Sequence, residues 1–142
     1  MLIHEFDRNI DEKGRLNFPS KLRGELGAQF IVCMGLDKYN KCLFAYSLEE
    51  WDVLKQKIQR LPFSKAAAQR EIYASAMIAQ PDAQGRIVIS EKLRKYAELS
   101  KDIRIIGVSN HAEIWDSAAR ERSSQQFDMA SFIDALDAER DN

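Results

Sequence analysis

The chain has 142 residues, 45% of them hydrophobic and 30% charged, with 21 Lys and Arg against 22 Asp and Glu for a formal net charge of −1. A chain this long buries roughly 68–70% of its unfolded surface without disulfide or metal staples, and its size excludes a large multidomain enzyme. No apolar run approaches the roughly 18 residues that span a bilayer, and the overall balance is not that of a polycation.

Charge is unevenly spread. Residues 1–70 carry 12 basic and 9 acidic side chains, residues 71–142 carry 9 and 13, and the acidic excess lies in the last fifteen residues. A moderately basic body with an acidic tail suits an anionic partner. The N-terminus turns polar at once after Met1-Leu2-Ile3, the pattern expected of a cytoplasmic protein with no signal peptide. Cys33 and Cys42 lie nine residues apart, and the only histidines are His4 and His111. Zinc-ligand spacing is absent, so buried free thiols, no metal and no cofactor are expected.

In chain order, the first signal is Asp11-Glu12-Lys13-Gly14-Arg15, a turn in which Asp bonds nearby amides and Gly supplies a positive φ. It reads as a hairpin tip, with Leu16 to Phe18 as the outgoing strand. Pro19 and Ser20 then open a short helix, Ser20 as N-cap and Gly27 as its end. A hairpin follows, Gln29 to Leu36 turning through Asp37 to Lys41 into Cys42 to Tyr46. Ser47-Leu48-Glu49-Glu50 is a capping box for a helix whose stripe is Trp51, Leu54, Ile58 and Leu61, stopping at Pro62. Residues 64 to about 74 read as a connecting helix.

The second half repeats the first. Asp82-Ala83-Gln84-Gly85-Arg86 and the residues to Arg94 align without gaps to Asp11 through Arg23, at an offset of 71 residues. Ile87 to Ile89 is the second outgoing strand, and Ser90 caps its helix. Ile103 to Ser109 turns at Asn110-His111 into Glu113 to Asp116, and a two-residue slip brings Ala45-Tyr46-Ser47 over Ile114-Trp115-Asp116. Ser117 is the expected cap of the last region, where Met129, Phe132, Ile133 and Leu136 form an amphipathic turn or two. Two half-sized units with so short a connection should share one core, their tips adjacent about a pseudo-twofold axis. The expected boundaries are 5–51 and 76–120 for the repeats, 52–75 for connecting helices and 121–142 for a helical tail.

An Arg held on a Gly turn suits groove recognition, because its planar fork grips guanine O6 and N7 as a pair. Arg8, Lys13, Lys21 and Arg23, with Lys92, Arg94 and Lys95 in the second copy, suit phosphate contacts that fix register. The structural alternative is that Asp and Arg of each turn simply pair to close it. Serine-hydrolase, P-loop, zincin and dinucleotide motifs are all absent, so neither catalysis nor a small-molecule substrate is expected.

The doubled turn, the Pro19-Ser20-Lys21-Leu22-Arg23 run and the Cys42 to Trp51 block together resemble the MraZ family, over roughly residues 1–120. The resemblance implies an α+β, β-rich fold in which two pseudo-symmetric AbrB-like swapped-hairpin β-barrel units with short helices form a single compact domain. It also implies a bacterial, nucleoid-associated transcriptional regulator of the cell division and cell wall gene cluster. Such a protein binds short direct repeats of double-stranded DNA upstream of its own operon, as a homo-oligomeric ring. The family's DNA-contacting residues map to Lys13, Gly14, Arg15, Gly85 and Arg86. Gln84 stands where the first turn has Lys13, Ser90 where the first helix has Pro19, and Asn17 is polar where the family is apolar. The rival reading is an AbrB-like protein-interaction or antitoxin module.

Overall fold

A computed structural model describes residues 1–63 and 66–140. Ser64 and Lys65, at the expected start of the connecting helix, lie outside the described residues. The first half runs β1 (Glu5–Asn9), β2 (Arg15–Asn17), α1 (Ser20–Leu26), β3 (Phe30–Met34), β4 (Leu43–Ser47) and α2 (Leu48–Gln59). After α3 (Ala66–Ser75) the second half follows with β5 (Met77–Ala79), β6 (Arg86–Val88), α4 (Glu91–Tyr96), β7 (Asp102–Gly107), β8 (Ala112–Asp116), α5 (Ser117–Gln125) and α6 (Met129–Arg140).

Strands from the two halves interlock. A six-stranded sheet has the order β1-β7-β8-β4-β3-β5, and β2 and β6 form a separate antiparallel ribbon. Each strand entering a turn therefore joins the other half's hairpin, β1 on β7 and β5 on β3, while the two strands leaving the turns pair with each other. The register reveals the symmetry. In the ribbon Leu16 faces Ile87, its own equivalent at the 71-residue offset. In the large sheet Phe44 faces Glu113, its equivalent after the slip. A pseudo-twofold axis passes through both pairs.

The expected barrels do not form. β1 and β5 remain open edges of the large sheet, because the strand that would close each unit is spent on the ribbon. The turns close short hairpins: the Asp11 amide donates to the Arg15 carbonyl at 3.1 Å beside an isolated antiparallel bridge from Ile10 to Leu16, and the Asp82 amide donates to the Arg86 carbonyl at 2.9 Å.

Side chains alternate between two apolar layers. Leu43 and Ala45 face the main core with Leu16, Phe18, Leu22, Phe30, Ile87, Ile89, Leu93, Ile105 and Ile114. Phe44 and Tyr46 face a second cluster with Cys33, Cys42 and Trp115, covered by Trp51 and Leu54 of α2. With both faces covered, β3 and β4 are apolar nearly throughout, which is why periodicity there is weak. Both thiols are free and buried, as expected, and burial pushes Cys33 up to about 12 and Cys42 higher still. Arg104 on β7 and Arg120 on α5 converge on Glu5 of β1, at 3.4 and 2.9 Å, tying the two halves at the sheet edge.

Two expected caps shift by one residue. Pro19, with extended ψ of 131°, is the N-cap of α1, so Ser20 is already helical and makes no capping bond. Asp116 rather than Ser117 caps α5, its Oδ2 accepting from the Ala119 amide at 3.2 Å while Oδ1 accepts from the Ser100 hydroxyl at 2.5 Å. A carboxylate serves both ends of that arrangement, and the serine is left as the first helical residue. Ser47 and Ser90 do cap, accepting from the Glu50 and Leu93 amides. Leu61 falls beyond the end of α2 and is 47% exposed, so it leaves the expected stripe.

Phe18 is fully buried, its ring 5.1 Å from that of Phe30. Phe18→Ala should cost about 3–5 kcal/mol through lost transfer and a residual cavity. Urea unfolding measures it, and a cost below about 1 kcal/mol would show that Phe18 does not bridge the ribbon to the large sheet.

Candidate nucleic-acid interface

The turns are built alike. Asp11 Oδ1 accepts from the Lys13 and Arg15 amides at 3.0 and 2.8 Å, and Oδ2 accepts from Arg15 Nε at 2.6 Å. Asp82 repeats this with the Gln84 and Arg86 amides at 2.8 and 2.9 Å and Arg86 Nε at 3.0 Å. The Arg15 amide, then its guanidinium, holds the Asp11 carboxyl below the usual carboxylate range; the Arg86 amide leads the same effect at Asp82. Gly14 and Gly85 sit at φ of 83° and 81°, in the left-handed region. A Cβ at Gly14 would also meet the Ile89 carbonyl at 2.5 Å, so two separate constraints demand glycine there.

Each glycine carbonyl is used by the opposite half. The Phe18 amide donates to Gly85 O at 2.9 Å, and the Ile89 amide donates to Gly14 O at 2.8 Å. The ribbon is thereby continued into both turns, and its alternation decides what faces out. Leu16 and Ile87 point to the core, while Arg15, Asn17, Arg86 and Val88 occupy the outer face.

Arg15 and Arg86 line one open groove of about 1080 Å³, together with Asn17, Arg94, Lys95 and Lys101 and the carboxylates Asp11, Glu12, Glu91 and Glu98. Side-chain exposure is 44% for Arg15 and 40% for Arg86. Each guanidinium is held to its Asp through Nε alone, so the edge carrying Nη1 and Nη2 is left for another acceptor. The Asp–Arg pair and a reading role are therefore compatible: the pair orients the fork.

The other expected residues divide. Lys13 is exposed on the first turn, and Lys21 and Lys92 are exposed on α1 and α4, all three outside the groove lining. Arg8 lies on β1, its guanidinium 5.7 Å from the Phe6 ring centroid and bonded to the Asp7 carbonyl, away from the groove. Arg23 and Arg94 are half-buried, with Nε bonded to the Phe18 and Ile89 carbonyls at 3.0 and 3.1 Å. Asn17 and Lys101 line the groove although neither belongs to the expected site residues. The period of two from Arg15 signals Asn17, directly across the ribbon from Arg86, whereas nothing local signals Lys101.

A smaller groove of about 550 Å³, lined by Arg23, Gly24, Pro81 and Asp82 among others, lies between the second turn and α1. Gly24 occupies the place of Lys95 at the 71-residue offset, so the pseudo-equivalent surfaces differ in charge. Among the described residues no cluster of His, Cys, Asp or Glu is placed to hold a metal, and no helix is long and apolar enough to cross a membrane.

Fold and site thus define a tandem-repeat protein that presents two aspartate-buttressed arginines on one face. The family model described as "MraZ protein, putative antitoxin-like" matches the chain twice, at residues 1–71 and 72–142. The protein named "Transcriptional regulator MraZ" from Acetivibrio thermocellus is 45% identical over 134 residues, covering 92% of each chain. The chain belongs to the MraZ family. The match extends through the C-terminal helices, beyond the residue 120 at which the motif resemblance stops.

Two measurements follow from the turn geometry. Because each Asp accepts bonds only as the carboxylate, its folded value is depressed; the stability it contributes is complete above the ordinary value of 3.8 and is lost as pH falls through the lower folded value. Arg15 and Arg86 amide resonances should therefore titrate with midpoints below 3.8, and midpoints at or above it would deny the buttress. Gly14→Val should destabilise by about 1–3 kcal/mol through strain, against about 0.5 kcal/mol or less for Arg15→Lys; equal thermal midpoints would reject the left-handed turn.

Proposed function

We propose that the protein is a sequence-specific DNA-binding transcriptional regulator that reads short direct repeats upstream of its own operon, in the cell division and cell wall gene cluster. The observation that carries this reading is the outer face of the β2–β6 ribbon, where Arg15 and Arg86 share one groove with their Nη edges free of the Asp buttress. A two-stranded ribbon fits the major groove of B-DNA, and a bidentate Arg pair with guanine is worth about 1–3 kcal/mol of discrimination. The relative's name points to transcriptional regulation. Lys13, Lys21 and Lys92 flank the ribbon as phosphate contacts, with Gly14 and Gly85 setting the turns. No step in this reading calls for a catalytic residue, a cofactor or a small-molecule substrate.

Modest charge on one subunit requires repetition. In a homo-oligomeric ring, later turns engage later DNA repeats intramolecularly, and avidity exceeds single-site affinity by roughly 10²–10⁴. Exposed apolar residues are available for a heterologous interface, including Val53 in the middle of α2, Leu61 and Phe63 just beyond its end, and Phe132, Ile133 and Leu136 on α6. Nucleoid association follows from DNA binding.

The antitoxin-like description of the family and the exposed apolar side of α6 favour a second reading, a module that binds protein through that helix. Binding to DNA from upstream of the gene, against a shuffled control at physiological salt, separates the two. Arg15→Ala should lower the preference about 5- to 150-fold, Arg86→Ala should lower it less on the less charged turn, and removing DNA repeats singly should weaken binding steeply. Equal affinity for both DNAs moves the function to protein binding.

A further inference from the structure

Arg23 and Arg94 occupy equivalent positions on α1 and α4, and both are half-buried with Nε bonded to a backbone carbonyl. Arg94 Nε donates to the Ile89 carbonyl at 3.1 Å, and its Nη1 donates to the Glu12 carbonyl in the first turn at 3.3 Å. A Cβ on Gly14 would lie 3.0 Å from Arg94 Nε and 3.2 Å from its Cζ, so the guanidinium occupies space that the glycine leaves open. Arg23 does the same in the other direction: Nε donates to the Phe18 carbonyl at 3.0 Å, and a Cβ on Gly85 would lie 2.8 Å from its Cζ. The residues whose carbonyls are held, Phe18 and Ile89, are those whose amides bond to the glycines of the opposite turns.

We propose that Arg94 and Arg23 are positioning residues acting across the repeats, Arg94 holding the turn that carries Arg15 and Arg23 holding the turn that carries Arg86. The inference rests on the DNA-reading function of those two arginines. It stands against the expectation that Arg23 and Arg94 meet phosphates: Arg94 spends Nε and Nη1, and Arg23 its Nε, on backbone carbonyls. A forked guanidinium reaches two carbonyls and fills the glycine gap at once, which an ammonium on a flexible stem does not do. The extra bond to Glu12 makes the brace on the first turn the stronger of the two.

The full-length protein carrying Arg94→Lys is the test, with Arg94→Ala beside it, because Lys keeps the charge and removes the fork. The first readout needs no DNA: the Arg15 Nε–H resonance, set by its bond to Asp11, should shift or broaden in Arg94→Lys while that of Arg86 stays put. Arg23→Lys should show the converse. On DNA, Arg94→Lys should lower operator preference about fivefold or more with the salt dependence unchanged, and the loss should vanish in an Arg15→Ala background yet persist in Arg86→Ala. An unmoved Arg15 Nε resonance overturns the brace. So does a salt slope that falls by about 0.9 in Arg94→Ala with preference intact, which is the signature of one lost phosphate contact. If Arg15→Ala itself leaves preference unchanged, the DNA reading fails, and the resonances still decide whether the brace exists.

Discussion

The carbonyls of Gly14 and Gly85 accept their hydrogen bonds from Ile89 and Phe18, each in the other half of the chain, and the architecture depends on that reciprocal exchange. Gly14 and Gly85 are buried within otherwise exposed turns, so their carbonyls need partners, and the opposite half supplies them. The exchange brings the strands leaving both turns together as one ribbon and seats Phe18 and Ile89 in the shared core. It also forces the entering strands outward onto the opposite hairpins, which leaves a six-stranded open sheet where two closed units were expected. Glycine is required at both turns by the positive φ, and at Gly14 again because the Ile89 carbonyl lies where a Cβ would stand; at Gly85 that space holds the movable end of Arg23.

Electrostatics at the turns follows from this geometry. Asp11 and Asp82 spend their carboxylates on two amides and one Nε each, which fixes the arginine fork without neutralising its outer edge. Orientation of a long side chain in advance reduces the ordering cost on binding. The surrounding charges are balanced rather than strongly basic, with Glu12, Glu91 and Glu98 beside Arg94, Lys95 and Lys101. Such a groove relies on placed donors more than on long-range attraction, and the unequal charge of the two turns makes its pseudo-symmetry incomplete.

Asymmetry is sharpest on the axis itself. Phe44 and Glu113 are equivalents that face each other across β4 and β8, one apolar and one acidic. Glu113 is accommodated by Trp115 Nε1 at 2.9 Å and by His111 Nε2 at 2.9 Å, and the His111 ring stacks 4.2 Å from Phe44. The two equivalents thus form an aromatic and carboxylate pair whose polar atoms are satisfied. In the acidic tail the described side chains of α6 are exposed, so its amphipathic pattern formed a helix without a core to cover.

Much of this was written in local chemistry. The doubled D-x-x-G-R turn, its glycines, the Ser47 and Ser90 caps and the slip that aligns Ser47 with Asp116 all depend on bonds between residues a few positions apart, and such bonds are legible along the chain. Arg15 and Arg86 could be singled out for the same reason. Strand pairing was not legible, because neither the largely polar β1 nor the short apolar β5 carries a mark of which hairpin accepts it, and the exchange across halves is decided by the shared core. The grouping of Asn17 and Lys101 with the two arginines, the bond from Arg94 to the Glu12 carbonyl and the approach of Arg23 to Gly85 likewise join residues from different halves. The sequence by itself determined the turns, the repeat and the chemistry each turn offers; only the tertiary structure decided which half completes which turn, because a carbonyl's partner across 71 residues is chosen by packing and not by spacing.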